Sequence, residues 1–487
     1  MDTRPTPKPL TPAGELVRGI TRSQAVTMVV GSMIGTGIFI VSADMVRQVV
    51  HPGLVLLAWG LAGIIITAGG LTYAELGSMF PRAGGLYVYL REGISPLVGF
   101  LYGWTLFAVI WTGGIAAAAV GFARYAGVVF PGLTPEVFFG TTVQLPTGPI
   151  TIGLSPQRLA AVASIVLITW INVRGVRTAA AIQAAFTVIK VAAVVLLLGL
   201  GLTLGRQPDA LVANFGASFW PSAVTGSVIA AFGLALIGPL FTMDGWYALC
   251  FAASELEDGK RTLPFALTTG TGFIALLFLG LNLAYFTVLP AAAIGGAGED
   301  RVASAVMAGM FGPIGEKLMA GAIMISAFGL NLGIILGGGR VFYAMARDGL
   351  FFAAAGRLHP THATPANALI LQAAWICALC LSGTYGQLID FTIAASLLFA
   401  LLIPIALFAL RRSRPKLVRP APVIGYPLVP AFYTAACAWV LVAVVWQRPS
   451  YTWPGLILVT IGIPIYWLQR RGRRTLGPAQ QRPGDSR

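Results

Sequence analysis

Two apolar segments of this sequence carry residues that interrupt a helix and could bind a ligand through backbone atoms. The first contains Gly31-Ser32-Met33-Ile34-Gly35-Thr36-Gly37, and the second contains Gly238-Pro239 followed by Phe241-Thr242-Met243-Asp244-Gly245-Trp246. Glycine and proline weaken a helix, and an acidic residue in mid-membrane costs about 2.5–3.5 kcal/mol on insertion scales. A broken helix offers amide N–H groups to an anion and carbonyl groups to a cation. Single glycines usually allow close packing only, but two interrupted segments predict a ligand site.

One lysine lies in the middle of an apolar segment, Thr187-Val188-Ile189-Lys190-Val191. The nearest charged residues along the chain are Arg177 and Arg206. A lysine at the centre of a span cannot reach the membrane interface by snorkelling. We therefore interpret Lys190 as part of a functional site.

The composition requires most of the protein surface to face lipid. Of the 487 residues, 57% are hydrophobic and 10% are charged, whereas soluble domains carry about 25% charged residues. The mean hydropathy is +0.81, and several uncharged runs are long enough to cross a bilayer as helices. The sequence predicts an all-α polytopic membrane protein. The net charge of +15 does not indicate nucleic acid binding, because Lys and Arg cluster between apolar segments as topology signals do.

Twelve membrane-spanning helices are predicted from the apolar runs. They cover 23–48, 53–79, 96–127, 157–173, 181–204, 223–255, 264–289, 314–346, 366–384, 387–410, 426–446 and 452–469. Most Lys and Arg residues lie on the cytoplasmic side if both termini are cytoplasmic, as the positive-inside rule requires. The two breaks fall in spans one and six. This spacing predicts two five-helix halves of opposite orientation, each beginning with a broken helix.

The spans divide the chain into six predicted regions. These are a disordered cytoplasmic N-terminus (1–22), a first inverted repeat (23–204), a second inverted repeat (205–410), a basic cytoplasmic loop (411–425), spans eleven and twelve (426–470) and a disordered cytoplasmic C-terminus (471–487).

Six motifs in this order give the sequence a family resemblance. They are GSMIGTGIF (31–39), YAELGSMFPRAGG (73–85), NVRGVRT (172–178), ELEDGKRTLPFAL (255–267), RVFYAMARDGLFF (340–352) and LHPTHATPANALILQ (358–372). The chain resembles the amino acid–polyamine–organocation superfamily, and within it the light-subunit-like permeases of the L-type amino acid transporter family. The resemblance implies the leucine-transporter-type fold of five plus five inverted repeats.

The resemblance also implies a secondary transporter of amino acids, working as an exchanger or a proton-linked symporter. Neutral L-amino acids are the expected substrates, with cationic amino acids or polyamines as the alternative. The substrate carboxylate is expected at the amides of Gly35, Thr36 and Gly37, and its amine at the carbonyls of Met33, Phe241 and Asp244. Phe241 is the expected lid or a packing residue, and Gly245 and Trp246 complete the predicted set.

The family further implies a role for Lys190. In the resembling proteins a span-five ammonium stands where sodium-coupled relatives bind a cation, contacting span-one carbonyls and a span-eight hydroxyl. Ser326 is the candidate hydroxyl. We therefore expect no sodium requirement.

Other charged residues lie at predicted cytoplasmic helix ends, where pairs could close an inner gate or could simply be solvated. They are Glu75, Arg82, Glu255, Arg261, Arg340, Arg347 and Asp348.

No cofactor, metal site or protein partner is predicted. Cys377 and Cys380 have CxxC spacing without a second ligand pair, and no nucleotide-binding GxxxxGK motif is present. The loop 128–156 contains no cysteine, so a disulfide-linked heavy subunit is not expected. We expect a monomer in the inner membrane. The alternatives are a channel, a transporter-derived sensor and a membrane enzyme. A channel would show rings of polar residues, a sensor a large soluble domain, and an enzyme an acid–base pair. None of these features is evident.

Overall fold

A computed structural model describes residues 20–475, except for 82–83, 146–147, 175, 254–255, 348 and 360–363. The predicted tails 1–22 and 471–487 lie largely outside the described residues. Of the predicted gate charges, Arg82, Glu255 and Asp348 also lie outside them.

The described chain is built almost entirely of helices. In chain order they are α1 (Arg22–Met33), α2 (Val41–Val49), α3 (Pro52–Met79), α4 (Leu86–Gly93), α5 (Pro96–Thr105), α6 (Trp111–Val129), α7 (Pro156–Arg174), α8 (Val176–Leu202), α9 (Pro208–Phe215), α10 (Gly226–Ala235), α11 (Ile237–Thr242), α12 (Ala248–Phe251), α13 (Gly259–Val288), α14 (Ala291–Gly295), α15 (Val302–Arg347), α16 (Ala366–Ser382), α17 (Tyr385–Ser413), α18 (Leu428–Gln447) and α19 (Pro449–Thr475). Three-residue-per-turn helices cover Gly37–Phe39, Gly298–Asp300 and Ala353–Gly356, and a π-helical turn at Leu106–Ile110 joins α5 to α6.

Helices occupy the places of all the predicted spans. Nine helices of the described residues are long and apolar enough to cross a membrane. Two further apolar stretches, Gly226–Thr242 and Ala366–Ser382, are shorter. These findings confirm a helical protein with many apolar spans, while the count of twelve crossings stays a prediction.

The chain between α6 and α7 departs from the predicted all-helical fold. Strand β1 (Phe139–Leu145) pairs antiparallel with β2 (Gly148–Leu154), and Thr141 lies opposite Ile152. β-branched residues are frequent in both strands and favour extended backbone. Residues 139–144 are exposed, so water can satisfy the free strand edges, which lipid could not do. The all-α prediction is wrong for this loop.

The two predicted halves pack through helices that hold corresponding positions in them. The second predicted span, α3, packs against the seventh, α13; the third, α6, packs against α15, the eighth; and the fourth, α7, packs against α16, the ninth. The break after α1 lies against α11, the middle part of the sixth span.

Glycines allow α3 and α13 to approach closely. A Cβ added to Gly63 would lie 2.6 Å from the Cβ of Ala275, and one added to Gly70 would lie 3.3 Å from the Thr271 hydroxyl oxygen. A Cβ on Gly77 would overlap the Leu263 side chain. The three glycines recur every seven residues and form a seam along one face of α3, which we call the glycine seam. Small residues at such interfaces bring helix backbones together in membranes.

Glu75, near the end of α3, is one of the predicted gate charges, and it forms ion pairs with arginines. Its side chain is fully buried, and its two oxygens accept bonds from the Arg411 guanidinium at 2.9 and 2.6 Å. The Val423 amide donates to the same carboxylate at 2.7 Å, and Arg419 lies 3.4 Å away. A buried carboxylate needs such compensation. Glu75 thereby joins α3 to the end of α17 and to the following loop.

We expect the glycine seam to tolerate no methyl group at Gly63. Because overpacking costs about 1–3 kcal/mol, Gly63→Ala should lower the melting temperature of the purified protein in detergent. Gly60→Ala is the matched control, since nothing lies within 4 Å of a Cβ at Gly60 on the same helix. Alanine should be neutral or stabilising there by up to about 1 kcal/mol. Equal melting temperatures for the two variants would contradict the seam.

Candidate functional site

The two helix breaks lie against each other. α1 ends at Met33, and Gly37 begins the short helix that leads into α2. A Cβ on Gly37 would overlap the Thr242 hydroxyl and lie 3.0 Å from the Thr242 Cβ, at the end of α11. Gly245 has a φ of +89° and approaches α1, because its Cβ would lie 3.0 Å from the carbonyl oxygen of Ser32. Both breaks therefore use a glycine where the other chain segment leaves no room for a side chain.

The first break leaves backbone donors available. The N–H groups of Thr36 and Gly37 donate to no other residue in the part of the chain that the structure describes, whereas that of Gly35 donates to the Met33 carbonyl at 3.1 Å. Unpaired amides at the start of a helix attract anions. Two of the three amides predicted to bind a carboxylate are thus free in this conformation, and the Gly35 amide is not.

Tyrosine hydroxyls hold the turn that follows these amides. Tyr285 on α13 donates to the carbonyl of Ile38 at 3.2 Å, and Tyr125 on α6 donates to that of Phe39 at 2.7 Å. Both tyrosines are fully buried. The sequence analysis missed them, because a tyrosine in an apolar run has no signal that distinguishes a backbone contact from packing.

The second break leaves one of the predicted carbonyls open. The Phe241 carbonyl accepts from the Asp244 amide at 3.1 Å, and the Met33 carbonyl accepts from Gly35 as described above. Among the described residues, nothing donates to the Asp244 carbonyl. Of the three predicted amine ligands, the Asp244 carbonyl is therefore the one that is unoccupied by the chain itself. Phe241 is half-buried, and its lid role stays a prediction.

The carboxylate of Asp244 belongs to an aromatic environment. It accepts a hydrogen bond from the Tyr247 hydroxyl at 3.2 Å. Trp246 is buried, and its ring centroid lies 4.6 Å from that of Tyr73. Asp244 and these three aromatic residues line a cavity together with Tyr102 of α5 and other residues of α3, α17 and α18. Trp246 thus both packs against neighbouring aromatic residues and lines the cavity.

Lys190 reaches the first break from α8. Its side chain is buried, and its ammonium donates to the carbonyls of Gly31 and Ile34, the latter at 3.1 Å. These are span-one carbonyls, as the family resemblance implies. Ser326 is buried on α15, but its hydroxyl makes no hydrogen bond to any described residue. The third predicted contact of the ammonium is therefore not formed in this conformation.

The described residues contain no group of three or more His, Cys, Asp or Glu side chains that could hold a metal ion. Cys250, Cys377, Cys380 and Cys437 are free thiols on helices.

Comparison with known proteins gives the chain a family context. The family model described as amino acid permease matches residues 20–466. The human Asc-type amino acid transporter 1 is 29% identical over 447 residues, which cover 91% of this chain and 80% of that protein.

Two other relatives match over a similar length. The mouse b(0,+)-type amino acid transporter 1 is 27% identical over 450 residues, covering 91% of this chain and 86% of the relative. The mouse large neutral amino acids transporter small subunit 2 is 28% identical over 453 residues, covering 91% and 79%.

We expect a methyl group at Gly37 to weaken ligand binding at the site. Gly37→Ala would push the first break away from Thr242 and move the free amides. The stabilisation of the purified protein by added amino acids, measured as a thermal shift, should fall by about tenfold in apparent affinity, which corresponds to about 1.4 kcal/mol. Gly114→Ala on α6 is the control, since a Cβ there meets nothing within 4 Å. If added amino acids stabilise Gly37→Ala with the same apparent affinity as wild type, Gly37 is not part of the site.

Proposed function

Because the chain belongs to the amino acid permease family, we propose that it exchanges neutral L-amino acids across a membrane by alternating access. The observation that carries this proposal is the meeting of two broken helices, with free amides at Thr36 and Gly37 and a free carbonyl at Asp244. Opposite partial charges are thus available for the carboxylate and the ammonium of an amino acid. The printed name of one relative, the large neutral amino acids transporter small subunit 2, supports the neutral class.

The proposed architecture has twelve crossings, with spans one to five and six to ten as inverted repeats. The packing of α3 on α13, α6 on α15 and α7 on α16 supports it, because a pseudo-two-fold axis brings equivalent helices together. We place both termini in the cytoplasm and the protein in the inner membrane. The basic residues Arg411, Arg412 and Arg414 at the end of α17 favour this orientation.

We propose that substrate binds Met33, Gly35, Thr36 and Gly37 from the first break and Phe241, Asp244, Gly245 and Trp246 from the second. Met33 and Phe241 carbonyls and the Gly35 amide would first exchange their present bonds for bonds to the ligand. Such a rearrangement is expected of a site that alternates between two states.

In this proposal the Lys190 ammonium replaces the coupling cation. This ammonium is attached to α8 and already donates hydrogen bonds to the carbonyls of Gly31 and Ile34. A sodium ion would therefore have to compete with it for these carbonyls. Ser326 would complete the coordination in another conformation of the cycle.

Uptake into liposomes tests this function. We expect the purified protein to take up labelled neutral amino acids only when an unlabelled amino acid is present inside, with no dependence on sodium. Lys190→Ala should reduce the rate about tenfold or more, because two buried carbonyls lose their donor at about 1–3 kcal/mol each.

The same assay separates the alternatives. Uptake driven by an inward proton gradient and lost in Lys190→Ala would replace the exchanger with a proton-linked symporter. Absence of uptake of any amino acid by well-folded protein would refute the proposed function.

A second substrate class, cationic amino acids or polyamines, is favoured by the surroundings of Asp244. No salt bridge to Asp244 is formed in the described part of the chain, although its carboxylate lines a cavity. The Tyr102 hydroxyl in the same cavity is buried and has no partner there. Aromatic faces and a carboxylate together attract a cation.

We expect Asp244→Asn to separate the two classes. If the side chain of a cationic substrate binds Asp244, its uptake should fall about tenfold or more relative to a neutral substrate, since a hydrogen bond to a charged group contributes about 1.5–3 kcal/mol. Asp209→Asn, an exposed position on α9, is the control. Unchanged uptake of both substrate classes would assign Asp244 a role through its backbone carbonyl only.

We also propose that the chain works without a disulfide-linked partner. All four cysteines lie in predicted spans, and none is in the loop between α6 and α7.

A further inference from the structure

Six charged side chains surround the end of α17 that lies away from Arg411. They come from five separate parts of the fold: α17 itself, the α18–α19 connection, α2, the turn Gly298–Asp300 and α6. The residues are Asp390, Arg448, Asp44, Arg47, Asp300 and Arg124. We call them the outer charge ring. Three are positive and three are negative, so the ring is neutral overall.

Arg448 connects α2 to α17 within this ring. It stands between α18 and α19, and its guanidinium lies 3.2 Å from the Asp390 carboxylate on α17. A second nitrogen of the same guanidinium lies 3.1 Å from the Asp44 carboxylate on α2. The Asp390 side chain is only 10% exposed, whereas that of Asp44 is 47% exposed. The Asp390 contact is therefore less screened by water than the Asp44 contact.

The ring continues from α2 and returns to α17. Arg47 lies 2.7 Å from Asp300, and Arg124 lies 3.4 Å from the other oxygen of Asp300. The Arg124 guanidinium also lies over the ring of Tyr385, the first residue of α17, at 5.6 Å. Every side chain of the outer charge ring thus has an oppositely charged neighbour from a different element.

The outer charge ring is directly connected to the candidate site. The Thr36 hydroxyl donates to the Tyr385 hydroxyl at 3.4 Å, and the Thr36 amide is one of the two free amides described above. α2 leads away from the same break. A ligand entering between α2 and α17 at this end would have to separate the two helices that Arg448 joins.

We propose that Arg448 is a gating residue, which locks α2 to α17 and keeps this entrance to the site closed until it releases one carboxylate. The inference rests on the proposed alternating-access function. Burial alone would lower the pKa of Arg448, but the carboxylates of Asp390 and Asp44 raise it overall, so the guanidinium keeps its charge while the gate is closed. Release is easiest at Asp44, because that carboxylate is the more exposed one.

The proposal gives the two spans outside the repeats a function. Neither α18 nor α19 belongs to the predicted five-plus-five core, yet their connection supplies the cation that two core helices share. Asp390 and Asp44 would repel each other if both were charged without it. Without Arg448, no ion pair of the outer charge ring would join α2 directly to α17.

Hydrogen–deuterium exchange measured by mass spectrometry tests this inference on the full-length protein in lipid nanodiscs without substrate. In Arg448→Gln, peptides covering α2 (Val41–Val49) and the start of α17 should exchange about threefold faster or more, as loss of a partly buried ion pair implies. Arg448→Lys, which keeps the charge, should lie between this variant and wild type. Peptides from α16 should not change.

Arg206→Gln is the matched control, because this arginine is exposed and follows α8 on the same side of the proposed topology. If Arg448→Gln leaves the exchange of both peptides at the wild-type rate, or if Arg206→Gln accelerates them equally, the gating role is refuted.

A measurement on the unmodified protein guards against misfolding of the variant. Raising salt to about 1 M shortens the Debye length to about 3 Å, which should accelerate exchange in the α2 and α17 peptides more than in α16. Uniform acceleration or none would overturn the proposal. Neither measurement needs transport, so a failure of the uptake assay would refute the proposed function while these rates still decide whether Arg448 holds the two helices together.

Discussion

The interior of the helix bundle is apolar, and every backbone group exposed there by a helix break needs a partner. An unpaired buried donor or acceptor costs about 1–3 kcal/mol, and lipid offers no replacement. The chain meets this constraint at the first break with three side chains from different helices. Lys190 binds the carbonyls of Gly31 and Ile34, Tyr285 binds that of Ile38, and Tyr125 binds that of Phe39. These four carbonyls are thereby satisfied, whereas the Thr36 and Gly37 amides between them donate to no described residue. A ligand with a carboxylate is the natural partner for what remains.

The backbone carbonyl and the side-chain carboxylate of Asp244 have different surroundings. Its carbonyl stands free at the second break, while its carboxylate receives the Tyr247 hydroxyl and lines a cavity of aromatic residues. A single residue can therefore contribute to recognition of the constant part of a substrate and of its variable part. The two contributions rely on different atoms, so changes of the side chain need not disturb the backbone geometry that Gly245 permits at its φ of +89°.

Features with a local signal were predictable from the sequence. Apolar runs gave helix positions such as 53–79 against the observed Pro52–Met79, because length and composition determine whether a segment can span a bilayer. The glycine pattern of residues 31–37 predicted the first break, and the isolated charge of Lys190 predicted a functional site. The contact of Lys190 with the first break was implied by the family resemblance. Contacts between distant positions had no such signal. Tyr125 looks like any core tyrosine and Arg448 like any loop arginine, and no strand was predicted in the loop 128–156. Ser326 shows the limit in the other direction: a family resemblance supplied the residue, but whether its hydroxyl reaches Lys190 depends on the conformation.

The glycine seam has a consequence for how α3 and α13 can move. Gly63, Gly70 and Gly77 repeat every seven residues, which is the heptad spacing of a left-handed coiled coil, with about 3.5 residues per turn. Two helices in contact along such a line, over about 21 Å at 1.5 Å per residue, cannot slide past one another without forcing side chains into backbone. We therefore expect α3 and α13 to move as one rigid unit. A tilt of α3 at its Glu75 end should move α13 with it, because the two helices are in contact along the whole seam.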